Sequence, residues 1–417
     1  MIELTRRQAL GTAAAATAGF GILRSAKAET ALIDQALQQG VNSGRLAGVA
    51  AAAATDKGTL YEGAFGKRNI AGGPAATPDT VFWIASMTKA VTTAAAMQQV
   101  ERGKLALHEP VGDILPELAK PEVLEGFDAN GTPRLRSANA PITLHHLLTH
   151  TAGYTYDIWD PMFARYEKYA DMPAIGTCKN AALMRPLDFD PGARWDYGIN
   201  IDWAGKMVER VSGKTIDQYF ADEIFGPLGM TSTGFFITPD MRARLSAMHA
   251  RGADGRLAVT QFEMPQHPEF HMGGGGLYST AGDYLKFVQM ILHGGNCNGR
   301  QVLRPETVAM MAQNQIGELN VHVLKTAAPG LSNDAEFFPG MMKKWGYGFM
   351  INTMDVAGGR AAGSLAWAGL ANTYFWIDPK RRVAGVILMQ LLPFADGPAL
   401  QEFADFESAV YKAAQSV

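Results

Sequence analysis

Ser86-Met87-Thr88-Lys89 is the only Ser-x-x-Lys in the chain. Residues three apart share a helix face, so a helix opening here would set the Lys89 amine beside the Ser86 hydroxyl. A serine hydroxyl is a weak nucleophile until a base takes its proton. Lysine can be that base when burial and positive potential lower its pKa. A helix N-terminus adds to that potential and favours a developing oxyanion. Taken alone, the tetrad also fits a helix N-cap serine followed by a solvated lysine. Further along stands Arg194-Trp195-Asp196-Tyr197-Gly198-Ile199-Asn200, between turn residues and a new helix. A tyrosine near a lysine can share its proton and pass it to a leaving group; a half-buried ring with a backbone partner is the other reading of Tyr197. A third segment is Ala366-Trp367-Ala368-Gly369-Leu370-Ala371-Asn372, where Gly369 would let a substrate approach the backbone closely, or would mark a bulge in a core strand.

The elements that must position these residues are partly legible. Val81–Ala85 reads as a buried approach and Ala90–Val100 as a helix, running to Gly103 as its C-cap. Before them, residues 30–41 read as an amphipathic helix, with strands over 47–54 and 59–66 joined by Asp56-Lys57-Gly58. From Gly103 to about residue 265 the pattern is mostly helical. Gly273–Gly276 marks a tight backbone passage, followed by a helix over Ala281–Leu292. Near the end, Leu365–Ile377 and Val383–Leu391 read as strands turning at Asp378–Arg381, and a helix spans Leu400–Ala414. Strands at both ends with helices between imply an α+β fold: an antiparallel sheet assembled from both termini, with a helical region inserted and Ser86 at the floor of the cleft.

With 417 residues, 47% of them hydrophobic, the chain can bury a large core. A formal charge of −3, with no Lys/Arg cluster, argues against a nucleic-acid surface. Thr5-Arg6-Arg7-Gln8-Ala9-Leu10, the apolar run Gly11–Leu23 and Ala26-Lys27-Ala28 follow the order of a twin-arginine signal, giving a leader over 1–28 and export to the periplasm or medium. No segment reaches transmembrane length, so stable membrane insertion is not expected. Cys178 and Cys297 could pair or stay as inert thiols. His145, His146 and His150 lack the carboxylate a His-Glu-x-x-His site needs, so no metal or other cofactor is expected, and the segment reads as packing beneath the site.

Ser-x-x-Lys, then a tyrosine motif, then a glycine-containing strand near the end resembles the serine β-lactamase and penicillin-binding-protein superfamily. Leu147-Leu148-Thr149-His150-Thr151-Ala152-Gly153 and Gly275-Gly276-Leu277-Tyr278-Ser279-Thr280-Ala281-Gly282-Asp283 look like two further segments of it. The resemblance implies a β-lactamase-like domain over 29–417, with its sheet region about 29–85 and 270–417 and its helical region about 86–269. It departs at two positions: Ile199 stands where that group carries the Asn of Tyr-x-Asn, and Trp367-Ala368-Gly369 replaces Lys-Thr-Gly. Trp and Ala cannot supply a cation or hydroxyl to a substrate carboxylate, so neutral or apolar acyl groups are expected. The variant is similar to the family VIII carboxylesterases, and the Tyr-Gly-x-x-x-Asp-Trp-Ala-Gly run to fungal acyltransferases of statin biosynthesis. The resemblance implies Ser86 as nucleophile, Lys89 as its base, Tyr197 as partner acid/base, and the N–H groups of Ser86 and Leu370 as oxyanion donors. Trp367, Trp195 and Tyr154 would line an acyl pocket with Gly369, or pack in the core. The expected activity is a carboxylesterase on small-molecule esters of short or medium acyl chain; an acyltransferase on the same residues, or a weak β-lactamase or D-amino-peptide hydrolase, are the alternatives. The oligomeric state is not legible.

Overall fold

The computed structural model describes residues 30–297 and 299–415; the leader expected over 1–28 lies outside them. A helix over 30–42 (α1) leads into strands β1 (Gly48–Thr55) and β2 (Gly58–Gly66). The site helix α2 (Thr88–Glu101) follows, then the short α3 (Leu144–Thr149), α4 (Asn200–Ser212) and α5 (Ala281–Leu292). Strands β3 (Lys343–Trp345), β4 (Met350–Asn352), β5 (Leu365–Gly369), β6 (Thr373–Asp378) and β7 (Val383–Leu388) come next, and α6 (Gly397–Ala414) closes the chain.

The seven strands form one sheet in the order β3-β4-β5-β6-β7-β1-β2, antiparallel throughout. Both chain ends build it, as the sequence pattern implies. Neighbouring strand residues point to opposite faces. Phe375 meets Tyr284 of α5 at 5.3 Å between ring centroids, whereas Trp376 meets Phe406 of α6 at 5.6 Å. The sheet is therefore sandwiched between α5 and α6. In β1 the run Ala50–Ala54 is buried, and its small side chains let both covering layers come close.

Two features differ from the sequence expectation. Leu365–Ile377 is not one strand: β5 and β6 fold back on each other in register from Leu365↔Ile377 to Gly369↔Thr373. Asn372 takes a left-handed backbone (φ 58°) that its short amide side chain tolerates, and its Nδ2 donates to the Leu391 and Pro393 carbonyls at 2.8 Å each. The inserted region also holds two hairpins besides its helices, Glu122–Phe127 with Pro133–Ser137 and Met248–Arg251 with Leu257–Thr260. The helix α2 is buried along most of its length, from Thr88 to Gln99, because it threads the centre of the molecule.

Candidate active site

Ser86 sits in a single 3-10 turn, Ala85–Met87, that runs directly into α2. The turn is fixed from three sides. Ala85 holds a positive φ of 45°, a conformation that costs an alanine free energy and persists only when neighbours over-determine it. Thr88 Oγ1 donates to the Ala85 carbonyl at 2.6 Å and accepts from the Leu277 N–H at 3.1 Å. Tyr284, on α5, donates its hydroxyl to the Met87 carbonyl at 2.8 Å.

One turn on, Lys89 is almost wholly buried (1% exposed). Its Nζ lies 3.2 Å from Ser86 Oγ, 3.0 Å from the Tyr156 hydroxyl and 2.6 Å from the Gly274 carbonyl. The Gly274 carbonyl can only accept, so that contact keeps a Lys89 N–H in either protonation state. A neutral Lys89 can give its second N–H to Tyr156, which leaves its lone pair facing the Ser86 hydroxyl. Burial lowers the Lys89 pKa to about 7, although the Asp202 carboxylate pulls it back up.

Tyr197 completes the group. Lys89 Nζ stands 4.6 Å from the centre of its ring. Its hydroxyl accepts from Trp367 Nε1 at 2.9 Å. Burial raises the phenol above its ordinary range, while hydrogen bonds from Ser86 and Trp367 act in the opposite direction. The preceding Asp196 accepts from the Tyr197 N–H at 2.8 Å and holds the turn.

A small pocket opens on Ser86, with Tyr197, Gly369 and Leu370 beside it and Trp159, Leu324 and Phe394 on its walls. Trp367 and Ala368 line it too, and no cationic side chain does. Gly369 lines the pocket and also meets a packing need: a Cβ there would collide with the Ile84 carbonyl and Thr373 Oγ1. The glycine lets β5 press against the turn that carries Ser86. A larger cleft of about 890 Å³ opens elsewhere on α4, past Trp203, Lys206 and Phe270, but none of Ser86, Lys89 and Tyr197 lines it.

The structure thus gathers Ser86, Tyr197, Trp367, Gly369 and Leu370 around one pocket, with Lys89 buried against Ser86. It puts Tyr154 and Trp195 elsewhere. Tyr154 is buried away from Ser86, beside Leu183 and Trp203, and its carbonyl accepts from Asn200 Nδ2 at 3.1 Å. Trp195 packs behind the site, tilted against Trp345 and edge-on to His322. Asn200, one position late for Tyr-x-Asn, turns its amide to His150 Nδ1 at 3.1 Å and not to the pocket. The histidine segment packs beneath the site: His146 caps α3 with Thr143, His145 meets the Tyr347 hydroxyl at 2.9 Å, and His150 lies against the Tyr197 ring at 4.8 Å. Cys178 and Cys297 are buried and unbonded. Sequence reasoning missed Tyr156 and Asp202. Tyr156 is two residues from Tyr154, and nothing in the sequence ranks one above the other. Asp202 carried a usable signal, an acid on a helix whose neighbours Ile201, Trp203 and Ala204 are all apolar.

A family model described as beta-lactamase matches residues 33–408. Monacolin J acid methylbutanoyltransferase of Aspergillus terreus is 34% identical over 398 residues, covering 91% of this chain and 95% of that protein. Lovastatin esterase of Penicillium rubens is 32% identical over 398 residues, covering 91% of this chain and 98% of that one. Among solved structures, a mutant simvastatin synthase from Aspergillus terreus superposes with a TM-score of 0.82 at 33% identity, covering 93% of this chain and 98% of the other.

Proposed function

Because the chain belongs to the beta-lactamase family of serine hydrolases, we propose that Ser86 is its nucleophile, Lys89 the base and Tyr197 the acid, and that it cleaves carboxylic esters of short or medium acyl chain. The observation that carries this reading is the placement of two buried groups at Ser86, with Lys89 Nζ 3.2 Å from its Oγ and 4.6 Å from the Tyr197 ring centre, and their opposite tuning supports it. Lys89 is brought down to about 7, where it can be neutral, while burial keeps the Tyr197 phenol protonated. Environments that drive paired groups apart assign the base and the acid.

In the reaction, the Lys89 lone pair takes the Ser86 proton as Oγ attacks the ester carbonyl. The carbonyl oxygen becomes an oxyanion, to which the N–H groups of Ser86 and Leu370 donate. Collapse breaks the bond to the leaving oxygen, and Tyr197 protonates the alcohol. The Lys89 ammonium returns its proton to the tyrosinate, and the acyl group stays on Ser86. A water then attacks by the same steps in reverse order, releasing the acid and restoring the serine.

Substrate class follows from the pocket walls. With Trp159, Leu324, Trp367 and Phe394 there and no cation, a neutral acyl group is desolvated at little cost, whereas the carboxylate of a β-lactam would be left unpaired. The test is hydrolysis of p-nitrophenyl acetate and butyrate by the protein and by Ser86→Ala, with a chromogenic cephalosporin in parallel. Fast ester turnover that requires Ser86, with weak cephalosporin turnover, is expected. Cephalosporin turnover matching that of the esters would overturn the substrate assignment.

A second reading is acyl transfer on the same serine, favoured by the relative that bears the name of a methylbutanoyltransferase. It differs only in whether an alcohol or water takes the acyl group. Added alcohol acceptors that divert p-nitrophenyl butyrate turnover from butyrate to a new ester would establish it. We further propose export by the twin-arginine leader; replacing both Arg6 and Arg7 by Lys should retain the protein in the cytoplasmic fraction.

A further inference from the structure

We propose that Asp202 is a positioning residue for Lys89: it fixes the carbonyl that orients the amine and supplies the buried negative charge that keeps the amine basic. The proposal rests on the reading of Lys89 as the base.

Asp202 lies in the first turn of α4 and is 2% exposed. Its Oδ1 accepts from the Gly274 N–H at 2.8 Å, and the carbonyl of that same residue accepts from Lys89 Nζ at 2.6 Å. One peptide residue therefore links the carboxylate to the amine, and its orientation is set from both ends. Gly274 has no room for a side chain, since a Cβ would collide with the Asp202 carboxylate. The second oxygen, Oδ2, is buried with no hydrogen-bond partner. A buried carboxylate oxygen left unpaired is costly unless a nearby cation offsets it.

The groups around the pair identify that cation. Tyr156 and Tyr197 face Lys89 as neutral phenols, both pushed above their ordinary range by burial. His150 is held well below its ordinary value by burial and by Lys89, so it is neutral. Cys178 is pushed up to about 12 by burial and by Asp202, so it remains a thiol. Asp157 adds a weaker negative influence on Tyr156. Arg185 also acts on Asp202, less strongly than Lys89, and its Nη1 lies 2.9 Å from Glu167. Burial raises the Asp202 carboxyl above its ordinary range, Lys89 is the strongest influence opposing that rise, and Asp202 in turn opposes the desolvation of Lys89. The two titrate as a pair.

Asp202→Asn keeps the shape and an acceptor for the Gly274 N–H while removing the charge. The readout is the pH dependence of the rate at which an uncharged fluorophosphonate inactivates Ser86, which reports the base in the free enzyme. In the unaltered protein that rate should rise through about pH 7 as Lys89 loses its proton. An ionised Asp202 raises the Lys89 pKa, so Asp202→Asn should move the rise to lower pH by about one unit. The alkaline plateau should fall as the amine becomes less basic. Gly274→Ala, which displaces the carboxylate from the other side, should shift the same rise in the same direction.

A folded Asp202→Asn protein whose rise stays in place would overturn the proposal. So would failure of both variants to fold, which would confine Asp202 to the core. The reading of Lys89 fails separately: that result would be an unaltered protein with no rise near neutral pH, or a Lys89→Ala variant that is inactivated at the normal rate.

Discussion

At the residue scale, the site depends on three polar groups being packed in apolar surroundings. Ser86→Ala should lower kcat/KM for p-nitrophenyl butyrate by about a thousandfold or more, and Lys89→Ala nearly as much, because groups acting as one unit fail together. Esterase activity should rise with pH through about 7, the value to which burial brings Lys89; a profile flat from pH 5 to 9 would remove Lys89 as the titrating base. Trp367 contributes one hydrogen bond, from Nε1 to the Tyr197 hydroxyl, besides its ring. Trp367→Phe keeps an aromatic wall and removes that donor, so kcat should fall about tenfold, the worth of roughly one hydrogen bond, with KM little changed. Leu370→Ala should do little, because the donor proposed there is its backbone N–H.

At the element scale, the pocket exists because β5 presses on the turn before α2. Gly369→Ala would drive a methyl group into the Ile84 carbonyl and Thr373 Oγ1. Overpacking of this kind costs about 1–3 kcal/mol, so urea unfolding should show that loss, and esterase activity should fall with it as Leu370 is displaced from Ser86. The β5–β6 turn depends on Asn372, whose Oδ1 also accepts from the Tyr374 hydroxyl at 2.7 Å. Asn372→Gly retains the left-handed backbone but loses these bonds and frees the unfolded chain, so it should be less stable to urea.

At the scale of the whole molecule, the first and last described helices meet through Gly40 and Glu402. Glu402 of α6 is buried against Gly40 of α1, and burial, reinforced by Asp405, raises its pKa to about 7. A carboxyl raised in the folded state binds its proton more tightly there than in the unfolded chain. Its contribution is greatest below the unfolded value and is lost as pH rises toward about 7. Glu402→Gln should therefore raise the melting temperature at pH 8 and leave it nearly unchanged at pH 4.5. An equal effect at both pH values would show that packing, not ionisation, governs this contact.

The sequence by itself determined the candidate residues for chemistry and the outline of the fold. Ser86 and Lys89 are three residues apart, and helical geometry alone brings them together. The helix over Ala281–Leu292 and the strands at both ends follow from local periodicity, which short-range sequence records. Tertiary structure decided the rest, because it depends on contacts between residues far apart in the chain. It bent Leu365–Ile377 into a hairpin, since a left-handed Asn372 is stabilised by carbonyls some twenty residues on, at Leu391 and Pro393. It chose Tyr156 over Tyr154 as the neighbour of Lys89, and it moved Trp195 behind the site while leaving Trp367 within it. It also set Asp202 behind Gly274, a pairing separated by 72 residues that no local pattern encodes. Which residues can do chemistry is a matter of type and spacing; which are neutral, ionised or in reach is set by burial, and burial belongs to the folded molecule.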